Sequence, residues 1–365
     1  MNVPYFDYRP EYRHLQNEIE AAIRRVLESG QLVLGPEVSA FENECGASLG
    51  VAWAVGVNSG TDALTLALRA LRVGPGDEVV TVANAGVPPV AAIRATGAVP
   101  RFVDVRPDTL LMDPERLLAA ITPRTRCVMP VHLYGQPPDL DAILEVADGR
   151  GVPVVEDCAQ AQGATFRSRA VGSFGRIGCL SFYPTKTLGA FGDGGLCVTD
   201  DPELAEQLRM QRMYGFRGDR HAHCEGVNSR LDELQAAILR VKLRHLDESI
   251  ARRRALADRY AAGLAGSGVE LPGRTPKVTH VHHVLVIRTA KRARMIEALG
   301  NAGIGCRIHY AEPVYAMEAY RSLGYDMGDL PVTEQACQSV LSLPIWPGME
   351  DGQVDQVVEV VRSCC

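Results

Sequence analysis

Short apolar runs alternate with amphipathic stretches along most of this chain. From about residue 50 the apolar runs are VAWAVGV, EVVTVA, PRFVDV, TRCVMPVHL, VPVVED, CLSFY and GLCVTD. Between the first two stands DALTLALRALRV, whose Leu64, Ala67, Leu68 and Leu71 fall on one face of a helix. That rhythm predicts a mostly parallel sheet covered by helices on both faces. A helical pattern from Ser229 through Leu264 then carries the chain out of this first unit. Beyond it HVHHVLVIRT, ARMIEALGNAGI and GCRIHY read as strand, helix, strand. The expected architecture is α/β, with an N-terminal segment and large domain over residues 1–245 and a smaller C-terminal α/β domain over residues 246–365.

Composition narrows the partners. At 365 residues and 46% hydrophobic, the chain can bury a full core without staples. A net charge of -6, with Lys and Arg scattered, gives no electrostatic footing for nucleic acid or an anionic membrane. No apolar run reaches membrane-spanning length, and the N-terminus lacks the apolar core of a signal peptide, so the expected location is the cytoplasm. The ten cysteines include no C-x-x-C pair and fit reduced thiols. His221, His223 and Cys224, and the string His280, His282 and His283, lack a matching second pair of ligands. No metal is expected.

Three places carry candidate chemistry. In SFYPTKTLGAFGDGG, Cys179 to Tyr183 reads as a buried strand that Pro184 ends, which puts Lys186 at its carboxyl end. Open α/β sheets hold ligands at that edge, and a lysine partly desolvated there can lose its proton and become a nucleophile. A phosphate-binding role as in the nucleotide P-loop is the weaker alternative, because Pro184 and Thr185, rather than glycine, precede Lys186. In NSGTDAL, Ser59, Gly60 and Thr61 open a helix whose free N–H groups favour an anion, although Ser59 could simply cap it. In VPVVEDCAQAQG, Asp157 ends a strand at the same sheet edge, where it could cap the next helix or pair with a protonated ring nitrogen. Anion site, aspartate and lysine are the attachments that pyridoxal phosphate needs.

Taken with SGQLVLGPEV, PVHLYGQ, GVNSRLDELQAA, RIHYAEPV and LSLPIWP, these strings span nearly the whole chain. It resembles the DegT/DnrJ/EryC1 sugar aminotransferases, within the aspartate aminotransferase fold. SGQLVLG and RTRCVMPVHLYGQ look like the members that make antibiotic amino-deoxysugars of the daunosamine type. The resemblance implies a fold type I transferase whose large domain carries a seven-stranded sheet, and a homodimer with shared active sites. It also implies that Lys186 binds the cofactor covalently and shuttles protons, while Asp157 holds the ring nitrogen and Gln160 lies near the ring hydroxyl. Ser59, Gly60, Thr61 and Ser181 would hold the phosphate, with Asn228 reaching it from the other subunit. Related dehydratases carry histidine where this chain has Lys186, so transamination is expected, from an amino acid such as glutamate to a keto sugar.

The implied substrate is a nucleotide-linked, dTDP-type keto-6-deoxysugar aminated at C3. The alternatives are a cyclitol (inosose) substrate or a sensor that keeps the cofactor site. His309, Tyr310 and Tyr315 would face the sugar. Three departures stand out: Gly86 in VANAGVPP where relatives place an aromatic residue, Gln162 in AQAQG, and Ala311 and Tyr315 in IHYAEPVY.

Overall fold

The structure, a computed structural model, describes residues 2–365. Its centre is one twisted sheet. Trp53–Val57, Gly195–Thr199, Ile177–Ser181 and Val155–Asp157 lie side by side in that order, and Thr125–Val128, Glu78–Thr81 and Val99–Phe102 continue it. Single parallel bridges, Val128 to Val154 and Val131 to Asp157, join the two groups into seven strands. Only Gly195–Thr199 runs antiparallel to its neighbours. The strands are apolar because both faces are covered, as parallel sheets require. One face packs on Leu64, Leu68 and Ile93, the other on Phe41, Phe182 and Leu239.

The predicted strand Cys179 to Tyr183 lies two residues earlier, at Ile177–Ser181. Phe182 still donates to the Gly194 carbonyl (2.8 Å) and is fully buried, but Tyr183 sits at a turn closed by Lys186 N–H (2.8 Å) and is exposed. The single predicted helix from Ser229 is two, Glu233–Arg244 and Leu246–Leu264. His245, at φ -106 and ψ 7, leaves helical geometry between them. Its start is also later than expected. The Glu233 carboxylate, 1% exposed, accepts the N–H groups of Gly35 (2.8 Å), Glu37 (2.9 Å) and Val38 (2.8 Å), and so closes the N-terminus of helix Pro36–Leu49.

Toward the C-terminus, Leu285–Arg288 and helix Arg292–Asn301 appear where the pattern placed a strand and a helix. GCRIHY does not form the next strand. Val340–Leu343, which runs into LSLPIWP, pairs antiparallel with Leu285–Arg288, and only Arg307 bridges to Ser342. The apolar positions of GCRIHY instead serve packing, with Cys306 and Ile308 against the core of Leu256, Tyr260, Trp346 and Val357.

Candidate active site

Three strands that point the same way end at one edge of the sheet. Trp53–Val57 leads into helix Gly60–Ala70, Val155–Asp157 ends in the aspartate itself, and Ile177–Ser181 leads to Lys186. Ser59 is the cap of its helix, its hydroxyl accepting Asp62 N–H at 3.1 Å. The N–H groups of Gly60 and Thr61 precede the first helical bond and remain open at the positive end of the helix dipole. Ser181 lies directly against them. A Cβ on Gly60 would stand 2.6 Å from Ser181 Cβ, and one on Gly195 would stand 2.3 Å from the Ser59 carbonyl. Two glycines therefore permit a hollow of backbone N–H and hydroxyl donors.

Lys186 and Asp157 face the same space. Burial pulls the lysine down to about 8, with the charge of Asp157 opposing that shift. Among the described residues, none hydrogen-bonds its amine. Asp157 is pushed upward by burial, and the Ala159 N–H (3.0 Å) with the charges of Lys186 and His132 works against this. Behind it, His132 Nε2 and Glu156 Oε2 form a fully buried pair at 2.9 Å. Burial favours the neutral Glu156, but His132 and the N–H groups of Gly172 and Gly175 outweigh it and hold the carboxyl below its usual range. His132, Glu156 and Cys158 are the one cluster with metal-ligand proximity among the described residues, yet the oxygens of Glu156 are already taken by these donors and by Phe174 N–H.

Gln160 connects the pair to the C-terminal region. Its carbonyl oxygen accepts Tyr134 N–H at 2.8 Å, and its amide donates to the Tyr310 phenol at 3.3 Å. Tyr134 in turn donates its phenol to the His309 carbonyl at 2.7 Å. Burial pulls His309 down to about 4 and raises Tyr310 to about 12. Gly86, at φ +78, packs on Tyr310 so closely that a Cβ there would lie 2.8 Å from two ring carbons. The departure VANAGVPP thus has a structural counterpart: the Tyr310 ring occupies that side.

The structure brings Ser59, Gly60, Thr61 and Ser181 together, and Lys186 with Asp157, Gln160, His309 and Tyr310. It does not bring Tyr315 there. That side chain is 2% exposed, packs with Phe102 and Tyr325, and donates to Glu334 at 2.6 Å, so the expected sugar contact is corrected to a core role. Asn228 is exposed beside Asn58, Asp193 and Arg230, and it caps nothing, since the helix begins at Glu233 behind Asp232. Of the metal candidates, His280 and His282 stack at 3.8 Å with His282 N–H donating to His280 Nδ1. The motif reading assigned no role to Tyr134, to His283, whose buried Nδ1 has no partner, or to Gln162, whose amide donates to the Ser181 carbonyl. Their signals, PVHLYGQ, HVHH and AQAQG, were visible only as strings.

The donor set fits pyridoxal phosphate. Open N–H groups and Ser181 match a phosphate, an amine without a competing acceptor matches an aldehyde, and a buried carboxylate matches a protonated ring nitrogen. A mostly parallel sheet with this set at its carboxyl edge defines a pyridoxal-phosphate-dependent transferase of fold type I. Residues 13–362 match the DegT/DnrJ/EryC1/StrS aminotransferase family. The chain belongs to that family and is an aminotransferase with pyridoxal phosphate as its cofactor.

Among its relatives, the dTDP-3-amino-3,4,6-trideoxy-alpha-D-glucose transaminase of Streptomyces venezuelae is 48% identical over 99% of this chain and 96% of that protein. The erythromycin biosynthesis sensory transduction protein EryC1 of Saccharopolyspora erythraea is 44% identical over 100% of both chains. Among solved structures, DesV of S. venezuelae in complex with a ketimine intermediate superposes with a TM-score of 0.97 at 48% identity, covering 99% of this chain and 98% of that one. The ntda protein of Bacillus subtilis with bound cofactor PMP has a TM-score of 0.92 at 31% identity, covering 100% and 85%.

Proposed function

We propose that this enzyme transfers an amino group from an amino acid, glutamate, to C3 of a dTDP-linked keto-6-deoxysugar in the making of an antibiotic amino sugar. The observation that carries the reading is the 48% identity, over 99% of the chain, to a transaminase of that sugar class, with a lysine and an aspartate standing at the sheet edge.

When bound, the cofactor would supply an aldehyde carbon that carries the amino group and a ring that withdraws electrons from it. The protein's part is positional and acid–base. Lys186 Nζ, lowered to about 8 by burial, is neutral in a useful fraction of molecules near neutral pH. It would take the proton from the donor's α carbon and deliver it to the cofactor carbon beyond the nitrogen being transferred, then reverse both moves for the sugar. Asp157 keeps its charge toward the ring nitrogen, braced by Ala159 N–H and His132. Gly60, Thr61 and Ser181 hold the phosphate, Gln160 the ring hydroxyl, and His309 and Tyr310 face the sugar. Asn228, exposed in its own chain, would complete the partner's phosphate site in a homodimer. Among the described residues no helix is long and apolar enough to cross a membrane, and ten cysteines without a C-x-x-C pair fit reduced thiols in the cytoplasm.

The name of the S. erythraea relative favours a second reading, a sensor that keeps the cofactor but turns over nothing. One experiment separates them. The amine form of the holoenzyme is mixed in turn with dTDP keto-deoxysugars, other nucleotide keto sugars and inososes while recovery of the visible absorption is followed. The proposal expects fast recovery with dTDP 3-keto-6-deoxysugars. Recovery only with inososes, or with no sugar, overturns it. Borohydride treatment followed by peptide mapping should place the cofactor on Lys186, and a label on another lysine overturns that assignment.

A further inference from the structure

We propose that Tyr134 is a positioning residue. Its phenol pins the His309–Tyr310 segment of the C-terminal region to the cofactor side of the site, and that pin sets affinity for the keto sugar. The inference rests on the reading above that His309 and Tyr310 face the sugar.

The local backbone comes first. PVHLYGQ leaves the sheet just beyond Val131, and Tyr134 then adopts φ +64, a left-handed conformation uncommon for a residue with a side chain. Gly135 follows at φ +108, where a Cβ would meet the backbone of His283 at 2.9 Å. This turn aims two groups of one residue in different directions. The Tyr134 N–H reaches the Gln160 carbonyl oxygen, and its phenol reaches the His309 carbonyl, 175 positions away in sequence.

The bonds close on themselves. From Gln160 the amide donates to the Tyr310 phenol, and Tyr310 is the residue after the carbonyl that Tyr134 holds. A ring of three hydrogen bonds therefore runs through Tyr134, Gln160 and the His309–Tyr310 peptide. From the other side His309 Nδ1 is fixed by the Ser342 hydroxyl at 2.8 Å. Gly86 leaves the Tyr310 ring its space, since a Cβ would press on it. At 3% exposure Tyr134 has no water to replace its acceptor if the bond is lost. A mere core filler would need neither the phenol's bond nor the left-handed backbone.

The Tyr134→Phe variant isolates the pin, because the backbone N–H to Gln160 survives and neither Lys186 nor Asp157 is touched. Three readouts are taken on holoenzyme. The visible cofactor band and cofactor retention should match wild type. Hydrogen–deuterium exchange over residues 305–316 should quicken, with the rest of the chain unchanged. KM for the dTDP keto sugar should rise roughly tenfold with a smaller change in kcat, the scale of one lost buried hydrogen bond. Gly86→Ala should give the same KM signature by pushing on Tyr310. The double variant should then fall short of the product of the singles, since both displace one segment.

Unchanged exchange over 305–316 in Tyr134→Phe overturns the pin whatever substrate the wild type takes. So does loss of cofactor and thermal stability with an unchanged KM, the mark of a purely structural tyrosine. If wild type turns over no keto sugar while that exchange still quickens, the pin stands and the substrate assignment falls.

Discussion

Holding Lys186 ready for chemistry costs the folded protein stability. Burial lowers its pKa from 10.5 to about 8. Each unit is about 1.4 kcal/mol, so the charged lysine destabilises the cofactor-free fold by about 3 kcal/mol at pH 7. Two effects reduce what a variant recovers. The lysine residue as a whole is only half-buried, and Asp157, already raised by burial, loses the charge that opposes its protonation. Lys186→Met, which keeps the apolar stem, is therefore expected to stabilise cofactor-free protein by about 1–2 kcal/mol. For a chain of 365 residues that corresponds to a rise of about 2 °C in thermal midpoint. The pH dependence has a definite sign. Well below pH 8 the lysine is mostly charged in both folded and unfolded chains, and the penalty is nearly complete. Between about 8 and 10.5 the folded protein releases the proton while the unfolded chain keeps it, so wild type gains on the variant. Above 10.5 the gap closes. Thermal unfolding of both proteins, stripped of cofactor and at one concentration, at pH 7, 9 and 10.5 tests this. A variant less stable at pH 7, or a gap that does not narrow with pH, would refute a desolvated cationic Lys186.

Further perturbations address the surrounding architecture. Gly60→Ala places a Cβ 2.6 Å from Ser181 Cβ and should weaken cofactor affinity at least roughly tenfold in an absorbance titration, through one lost phosphate contact; wild-type affinity would remove that hollow from the phosphate site. Glu233→Gln takes a charged acceptor from the N–H groups of Gly35, Glu37 and Val38 and should lower unfolding free energy by about 1–3 kcal/mol in urea; an unshifted midpoint would show that the cap contributes nothing. Asp157→Asn should retain cofactor better than activity, and equal activity would deny the aspartate its electronic role. Mixing Lys186→Ala with Asn228→Ala chains should give mixed dimers more active than either parent, one site carrying both defects and one neither. No recovery in verified mixed dimers of an impaired Asn228 variant would return Asn228 to its own subunit.

The seven strands and the helix after the first of them were legible in the chain because apolar spacing is local, and a strand buried on both faces must read as a continuous apolar run. Lys186, Asp157 and the Ser59–Thr61 turn were legible for a related reason: strand ends can be read, and parallel strands put their ends at one edge. Boundaries failed where long-range partners intervened. The helix from Ser229 begins at Glu233 because that carboxylate is committed to a helix nearly 200 positions earlier, and GCRIHY yields its ladder place to Val340–Leu343. Tyr315 looked like a site residue by its place in a motif, but its phenol is committed to Glu334. No local pattern could bring Gly86, Tyr134, Gln160 and Tyr310 together. They meet because the folded sheet and the C-terminal region bring distant loops into contact, where the missing Cβ of residue 86 acquires meaning only from the ring that fills its place.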